Sequence, residues 1–147
     1  KLEDADFKVV IIRTPMVYGP NCKGNFVKLK KIAKISPIFP DIQNERSMIY
    51  IDNLCEFIKQ AIDKEKSGTF YPQNKEYIST KQIIEVMTET MNKKMHFIKL
   101  FNPILKLLAK KINLINKVFG TKVYEKELSE NFEYIVVDNK ESIRRSV

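Results

Sequence analysis

The chain has 147 residues, 44% of them apolar, and a formal charge of +8, which gives enough length and apolar content for one packed core. No apolar run reaches the roughly 18 to 20 residues of a membrane-spanning helix, and Cys22 and Cys55 show neither metal-ligand spacing nor a disulfide framework, which fits a reducing, cytoplasmic setting. The lysines are spread along the chain as on solvated helix faces, so the charge permits phosphate, nucleic acid or anionic membrane without selecting any of them.

The chain opens KLEDADFK, without Met, and then enters the run VVII at residues 9–12. Such a run reads as a strand buried on both faces, usual in the middle of a parallel sheet. Few other strand candidates are present to flank it, so the sequence reads as a piece of a longer chain. Arg13-Thr14-Pro15 ends the run and Tyr18-Gly19-Pro20 marks a turn. Open α/β sheets hold ligands just outside the carboxyl ends of their strands, which makes this loop the first candidate site.

Phe26, Leu29, Ile32, Ala33 and Ile35 then recur at largely helical spacing, with Asn25 in the N-cap position and Ser36-Pro37 as the stop. Ile38-Phe39 precedes a turn-rich segment. MIYI at residues 48–51 reads as a second strand, followed by a helix capped by Asp52 and carrying Leu54, Phe57, Ile58, Ala61 and Ile62. Thr69-Phe70-Tyr71 reads as a third strand. Ser79 with Gln82 forms a capping-box pattern ahead of Ile83, Ile84, Met87 and Met91. A fourth strand is expected within residues 95–100; it contains His96, the sole histidine, which lacks a catalytic partner at meaningful spacing. Asn102-Pro103 opens an amphipathic helix reaching Phe119 and Gly120, read as a cover for the core rather than a membrane-surface element. The tail, residues 122–147, mixes charge with one apolar run, YIVV at 134–137.

Taken singly, these residues make no catalytic set. There is no phosphate-loop or glycine-rich pattern, no Cys/His zinc spacing and no nucleophile elbow. Gly19, Gly24, Gly68 and Gly120 leave nothing to cradle a dinucleotide. A binding outline remains. Arg46 stands between a turn and a strand, where a guanidinium can meet a pyrophosphate with paired hydrogen bonds, although Glu45 or Asp52 could equally engage it. Asn25 and the helix it opens can hold an anion.

RTPMVYGP at residues 13–20, GNF at 24–26 and SPIFPDIQNERSMIYIDNL at 36–54, in that order, resemble the C-terminal half of the extended short-chain dehydrogenase/reductase family, the nucleotide-sugar epimerases and dehydratases. The likeness is good over residues 8 to 92 and looser beyond. It implies an α/β fold: the end of a Rossmann-type parallel sheet in residues 1–24, then a smaller mixed α/β substrate-binding domain in residues 25–147. It implies that Thr14, Pro15 and Met16 border the nicotinamide of NAD, with NADP as the alternative cofactor. By the same resemblance, Asn25 and Phe26 meet the diphosphate side of a nucleotide sugar, Pro37 and Phe39 lie along the uracil, and Arg46 clamps the diphosphate. The 4-epimerases commonly carry Asn where this chain has Met16. A second diphosphate arginine has no clear match, with Lys122 and Lys126 as stand-ins.

The family's chemistry is hydride transfer at C4 of the sugar, with the tyrosine of a Tyr-x-x-x-Lys motif as general base. That motif and the cofactor's glycine loop are expected upstream of these residues, so the expected function is the substrate-binding part of an NAD-dependent UDP-sugar 4-epimerase, inactive in isolation. One alternative is a 4-keto-sugar reductase of cell-surface polysaccharide biosynthesis, and another, of a different class, is a basic non-catalytic binding module. A homodimer is expected; nucleic acid, a membrane and a metal ion are not.

Overall fold

The computed structural model describes residues 7–101, 120–129 and 132–147. Along the described chain run β1 (Val10–Ile12), β2 (Met16–Tyr18), α1 (Asn25–Ile35), β3 (Ile38–Pro40), β4 (Met48–Tyr50), α2 (Ile51–Asp63), β5 (Gly68–Phe70), α3 (Thr80–Thr90), β6 (His96–Ile98) and α4 (Asn139–Ser146). The fold is mixed α/β, and every strand pair among these elements is parallel: β1 with β5, β2 with β4, β3 with β6. Parallel neighbours need a long crossover. Here α2 falls between β1 and β5, α1 between β2 and β4, and α3 between β3 and β6.

The helical periodicities translate directly into burial. α1 buries Phe26, Leu29 and Ala33, and α3 buries Ile83, Ile84 and Met87. These residues meet Tyr18, Met48, Tyr50 and Ile143 in the main core. A second cluster joins Ile49 of β4, Phe57 and Ala61 of α2, and Tyr134. The capping box forms as the sequence indicates: the Ser79 hydroxyl accepts from the Gln82 N–H at 3.0 Å, and the Gln82 side chain accepts from the Ser79 N–H at 2.8 Å.

Several expectations are corrected. β1 is not buried on both faces, since Ile11 is left 48% exposed, and among the described residues it is paired along one edge alone, by β5. Asn25 is the first helical residue rather than the cap. The cap is Gly24 at φ 102°, a backbone conformation glycine adopts without a steric penalty. Asp52 lies in the first turn of α2, where its charge suits the helix dipole, and the cap is Tyr50. The third strand ends at Phe70, before Tyr71. The tail holds a helix that its sequence pattern conceals, α4, capped by the Asp138 carboxylate accepting from the Glu141 N–H at 2.9 Å. The apolar run at residues 134–137 turns, burying Tyr134 and Val137 while Val136 faces solvent. The amphipathic helix expected over residues 102–119 lies outside the described residues.

Candidate functional site

The site begins with Arg46, whose backbone is held from two sides. It exchanges hydrogen bonds with Ile78 at 3.1 and 3.2 Å, while on its other flank the Ser47 N–H donates to the Lys122 carbonyl and the Lys122 N–H to the Glu45 carbonyl, each at 2.9 Å. This returning strand-like segment, residues 122–124, is then locked in place. The Tyr124 N–H donates to Ser47 Oγ at 2.8 Å, and the Tyr124 carbonyl accepts from Tyr77 Oη at 2.7 Å and Gln73 Nε2 at 3.2 Å. The Tyr124 hydroxyl reaches the Thr14 carbonyl at 3.4 Å, tying the segment to the loop that follows β1.

Behind it lies a buried polar framework. Gln73 accepts from Ser47 Oγ at 2.6 Å, and its backbone N–H and carbonyl both bond to the Tyr134 hydroxyl, at 3.0 and 2.9 Å. The Asn74 side-chain oxygen accepts from the Tyr50 N–H at 3.2 Å and Asn53 Nδ2 at 3.0 Å; Asn53 also accepts from the N–H groups of Val136 and Val137, each at 3.0 Å. Asn53 and Gln73 are fully buried. Paired this completely, buried amides fix one arrangement of the loops they join.

In front of that framework is a cleft of about 680 Å³ lined by Pro15, Met16, Gly24, Asn25, Arg46, Ser47, Lys122, Val123 and Tyr124. It lies beyond the carboxyl end of β1 and at the N-terminus of α1, where unpaired backbone N–H groups favour an anion. Arg46 is only 5% exposed, and burial lowers its pKa, yet a guanidinium stays protonated at any physiological pH. No carboxylate is among the lining residues described. The lining combines apolar side chains, Pro15, Met16 and Val123, with two cations, Arg46 and Lys122. Such a concavity suits an anionic group joined to a larger, less charged one.

The residues named from sequence divide into two groups. Pro15, Met16, Asn25 and Arg46 converge on this cleft, and Thr14 adjoins it through its carbonyl. Phe26 does not line it: the ring is in the core, stacked on Tyr18 with centroids 5.0 Å apart. Phe39 is likewise buried, edge-on to Phe97 at 6.4 Å, and Pro37 is exposed at the start of β3. Of the two stand-in lysines, Lys122 lines the cleft. Lys126 is held elsewhere, donating to the Asn74 carbonyl at 2.9 Å with its ammonium 4.1 Å from the Tyr77 ring centroid. Sequence reasoning missed Ser47, Val123 and Tyr124, for which no local signal exists because pairing across the chain brings them together.

Two Tyr-x-x-x-Lys spacings do occur within the chain, Tyr71 with Lys75 and Tyr77 with Lys81, contrary to the expectation that it holds none. Neither lies within a helix, where that spacing puts both side chains on one face. Tyr71 follows β5 and Tyr77 precedes the Ser79 cap of α3, and Lys81 is paired with Asp41 at 3.0 Å.

No family model matches the chain. UDP-glucose 4-epimerase of Vibrio cholerae is 34% identical over 96 residues, which are 62% of this chain and 29% of that protein. UDP-glucuronic acid 4-epimerase from Bacillus cereus, solved with UDP-glucuronic acid and NAD, superposes with a TM-score of 0.62 at 21% identity, covering 96% of this chain and 44% of the solved one. dTDP-4-dehydrorhamnose reductase from Yersinia enterocolitica gives a TM-score of 0.50 at 28% identity, over 60% of this chain and 33% of that one. The chain thus spans less than half the length of each of these relatives. In sequence and in fold alike, it resembles the NAD-dependent epimerases and dehydratases of the extended short-chain dehydrogenase/reductase family.

Proposed function

We propose that this chain is the nucleotide-sugar-binding part of an NAD-dependent 4-epimerase acting on UDP-sugars. Residues 1–24 complete a dinucleotide-binding domain and residues 25–147 form the substrate-binding domain. The observation that carries this reading is the cleft: Pro15 and Met16, assigned from sequence to a cofactor, share one concavity with Asn25 and Arg46, assigned to a substrate. When bound, NAD supplies the hydride acceptor and donor. The residues of this chain do the holding. Arg46 offers a planar fork of donors to phosphate oxygens, and Asn25 and the start of α1 offer amide groups to the same anion. The sugar is thereby presented to the edge formed by Thr14, Pro15 and Met16. Phe26 and Phe39 support that surface from within the core. With four glycines and no glycine-rich loop, these residues fit one edge of a dinucleotide, and residues 1–147 alone are expected to be inactive.

Product analysis tests the reading. The full-length protein supplied with UDP-galactose and NAD is expected to yield a mixture of C4 epimers, and residues 1–147 alone none. Arg46→Ala is expected to weaken UDP binding on the order of a hundredfold, as loss of a desolvated, charge-assisted contact does. Undiminished UDP binding by that variant in a calorimetric titration removes Arg46 from the site. A second reading, one-way reduction of a 4-keto sugar, draws on the likeness to the Yersinia enterocolitica reductase. Net consumption of NAD(P)H without epimerisation selects it.

A further inference from the structure

The lysines run throughout the chain, but the carboxylates do not. Residues 7–40 hold seven cations and residues 90–124 hold eight, and neither stretch contains an Asp or a Glu. The fold brings parts of these two stretches together. We infer that the surface they form at the C-terminal end of α1 is a docking face for a bilayer carrying anionic headgroups.

Three observations carry this. The first is topology. β3 ends one acid-free stretch and β6 lies in the other, and the two strands pair in parallel with Ile38 opposite His96. The Lys93 ammonium also donates to the carbonyl of Lys34, in the last turn of α1. Cations 59 positions apart in sequence thereby share one face. The second is the lack of neutralising partners. Lys31, Lys34 and Lys94 are exposed and make no ion pair among the described residues. Like charges held this close repel one another, and an anionic surface relieves that repulsion. The third is what lies between the lysines. Ile35 is 70%, Ile38 43% and Leu100 77% exposed, and Ile35 leaves α1 on the side away from the buried Phe26, Leu29 and Ala33. Aliphatic side chains among lysines match the boundary between headgroups and acyl chains. A nucleic acid is read chiefly by arginine forks, whereas the cations of this face are all lysines. The face is also remote from the cleft. Asn25 and Ile35 are the two ends of α1, about 15 Å apart at the usual rise per residue, so bilayer and ligand are met at opposite ends of one helix.

The test is co-sedimentation of the full-length protein with vesicles of phosphatidylcholine alone and of phosphatidylcholine mixed with phosphatidylglycerol, at low and at high salt. Binding is expected on the mixed vesicles, weakening as salt rises, and not on phosphatidylcholine. The combined variant Lys31→Gln, Lys34→Gln, Lys94→Gln is expected to partition on the order of a hundredfold less, roughly fivefold for each lysine removed. Lys93 stays in place because it holds the end of α1. The matched variant Lys59→Gln, Lys75→Gln, Lys140→Gln, at exposed positions outside both stretches, is expected to lose no more than about threefold. A melting temperature equal to the parent's shows that each variant is folded. Equal losses in the two variants would reduce the effect to net charge and overturn the face. Retention of the parent on duplex DNA but not on the mixed vesicles would overturn the bilayer in favour of a nucleic acid. The nucleotide-sugar reading stands or falls separately, on the UDP titration of Arg46→Ala.

Discussion

The cleft side of the molecule and the β1–β5 side treat burial in opposite ways. Around the cleft, side chains with hydrogen-bonding capacity are buried and matched: Asn53, Gln73 and Ser142 are fully buried, and each has named partners. Beside β1 and α2, residues with no such capacity face outward. Ile11 is 48% and Ile62 71% exposed, and with Ile12 and Ile58 the latter borders a groove of about 520 Å³. The first region is finished by contacts within the chain; the second carries an apolar surface whose burial would be worth more than anything it now gains. Parallel strands ordinarily lie inside sheets covered on both faces; among the described residues β1 has β5 as its one strand neighbour and keeps Ile11 exposed, whereas the polar groups of the cleft side are matched within the chain.

The sharpest way to break this comparison is to truncate one isoleucine in each region. Ile83 is fully buried in the main core, and Ile83→Ala is expected to cost about 4 kcal/mol, combining lost transfer energy with a cavity. Ile62→Ala on the open face of α2 is expected to change stability by no more than about 0.5 kcal/mol. Urea titrations of the two variants measure the difference. Equal costs would mean that the α2 face is already packed in solution, for example against a second copy.

Next in size is Asn53→Ala. Its side chain serves four partners, Asn74 Oδ1, the Val137 carbonyl and the N–H groups of Val136 and Val137. Truncation strands buried donors and acceptors, at about 3 kcal/mol in all. Residues 135–137 are expected to lose protection in hydrogen exchange before α3 does. This residue also shows what the sequence conceals. Asn53 follows Asp52 where a helix begins, and a helix-start role is all its neighbours suggest. Its actual work is 84 positions away, at the Val137 backbone.

The same contrast explains which features could be read in advance. α1 and α3 were legible because their apolar spacing is local and their ends carry punctuation, Ser36-Pro37 for one and the Ser79–Gln82 box for the other. Arg46 was legible as a cation between a turn and a strand, and it does line the cleft. Its flanking partner Lys122 was named only beside Lys126, as one of two stand-ins, since no periodicity reports a bridge between residues so far apart. α4 was hidden because its sequence, NKESIRRS, is almost wholly polar and buries mainly Ser142, Ile143 and Ser146. The burial of those serines makes sense only once Tyr18 is seen across from them: Asn74 Nδ2 donates to the Tyr18 hydroxyl at 3.0 Å, and the Tyr18 and Ser142 oxygens lie 2.6 Å apart.

That phenol gives the third prediction. Burial pushes the Tyr18 pKa from 10.0 up to about 12, against the opposing effect of its hydrogen bonds. An acid held neutral in the folded state contributes stability that is fully present below the unfolded pKa and is lost as the pH rises through the folded one. Between about pH 10 and 12 the protein is therefore expected to lose roughly 2 to 3 kcal/mol through this group. Tyr18→Phe should start from lower stability at neutral pH, having given up two hydrogen bonds, and should show a shallower alkaline decline. A parallel decline in both proteins would assign the alkaline loss to other groups.

The smallest effect belongs to the open side. Lys8 and Glu65 form an ion pair at 2.7 Å beside the apolar groove, with side chains 44% and 76% exposed. The pair lowers the Glu65 pKa, chiefly through the hydrogen bond from Lys8, yet water and salt screen it and both side chains give up rotamer freedom to make it. Glu65→Gln is expected to leave the melting temperature within error at physiological salt. Short distance is thus a poor guide to strength. The Lys126 contact with the Asn74 carbonyl is longer, at 2.9 Å, but it is partly buried and bracketed by the Tyr77 and Phe132 rings, so Lys126→Met should cost measurably more. If Glu65→Gln proved the more damaging of the two, the Lys8–Glu65 corner would have to be buried in solution, and the open face of β1 and α2 would be covered there too.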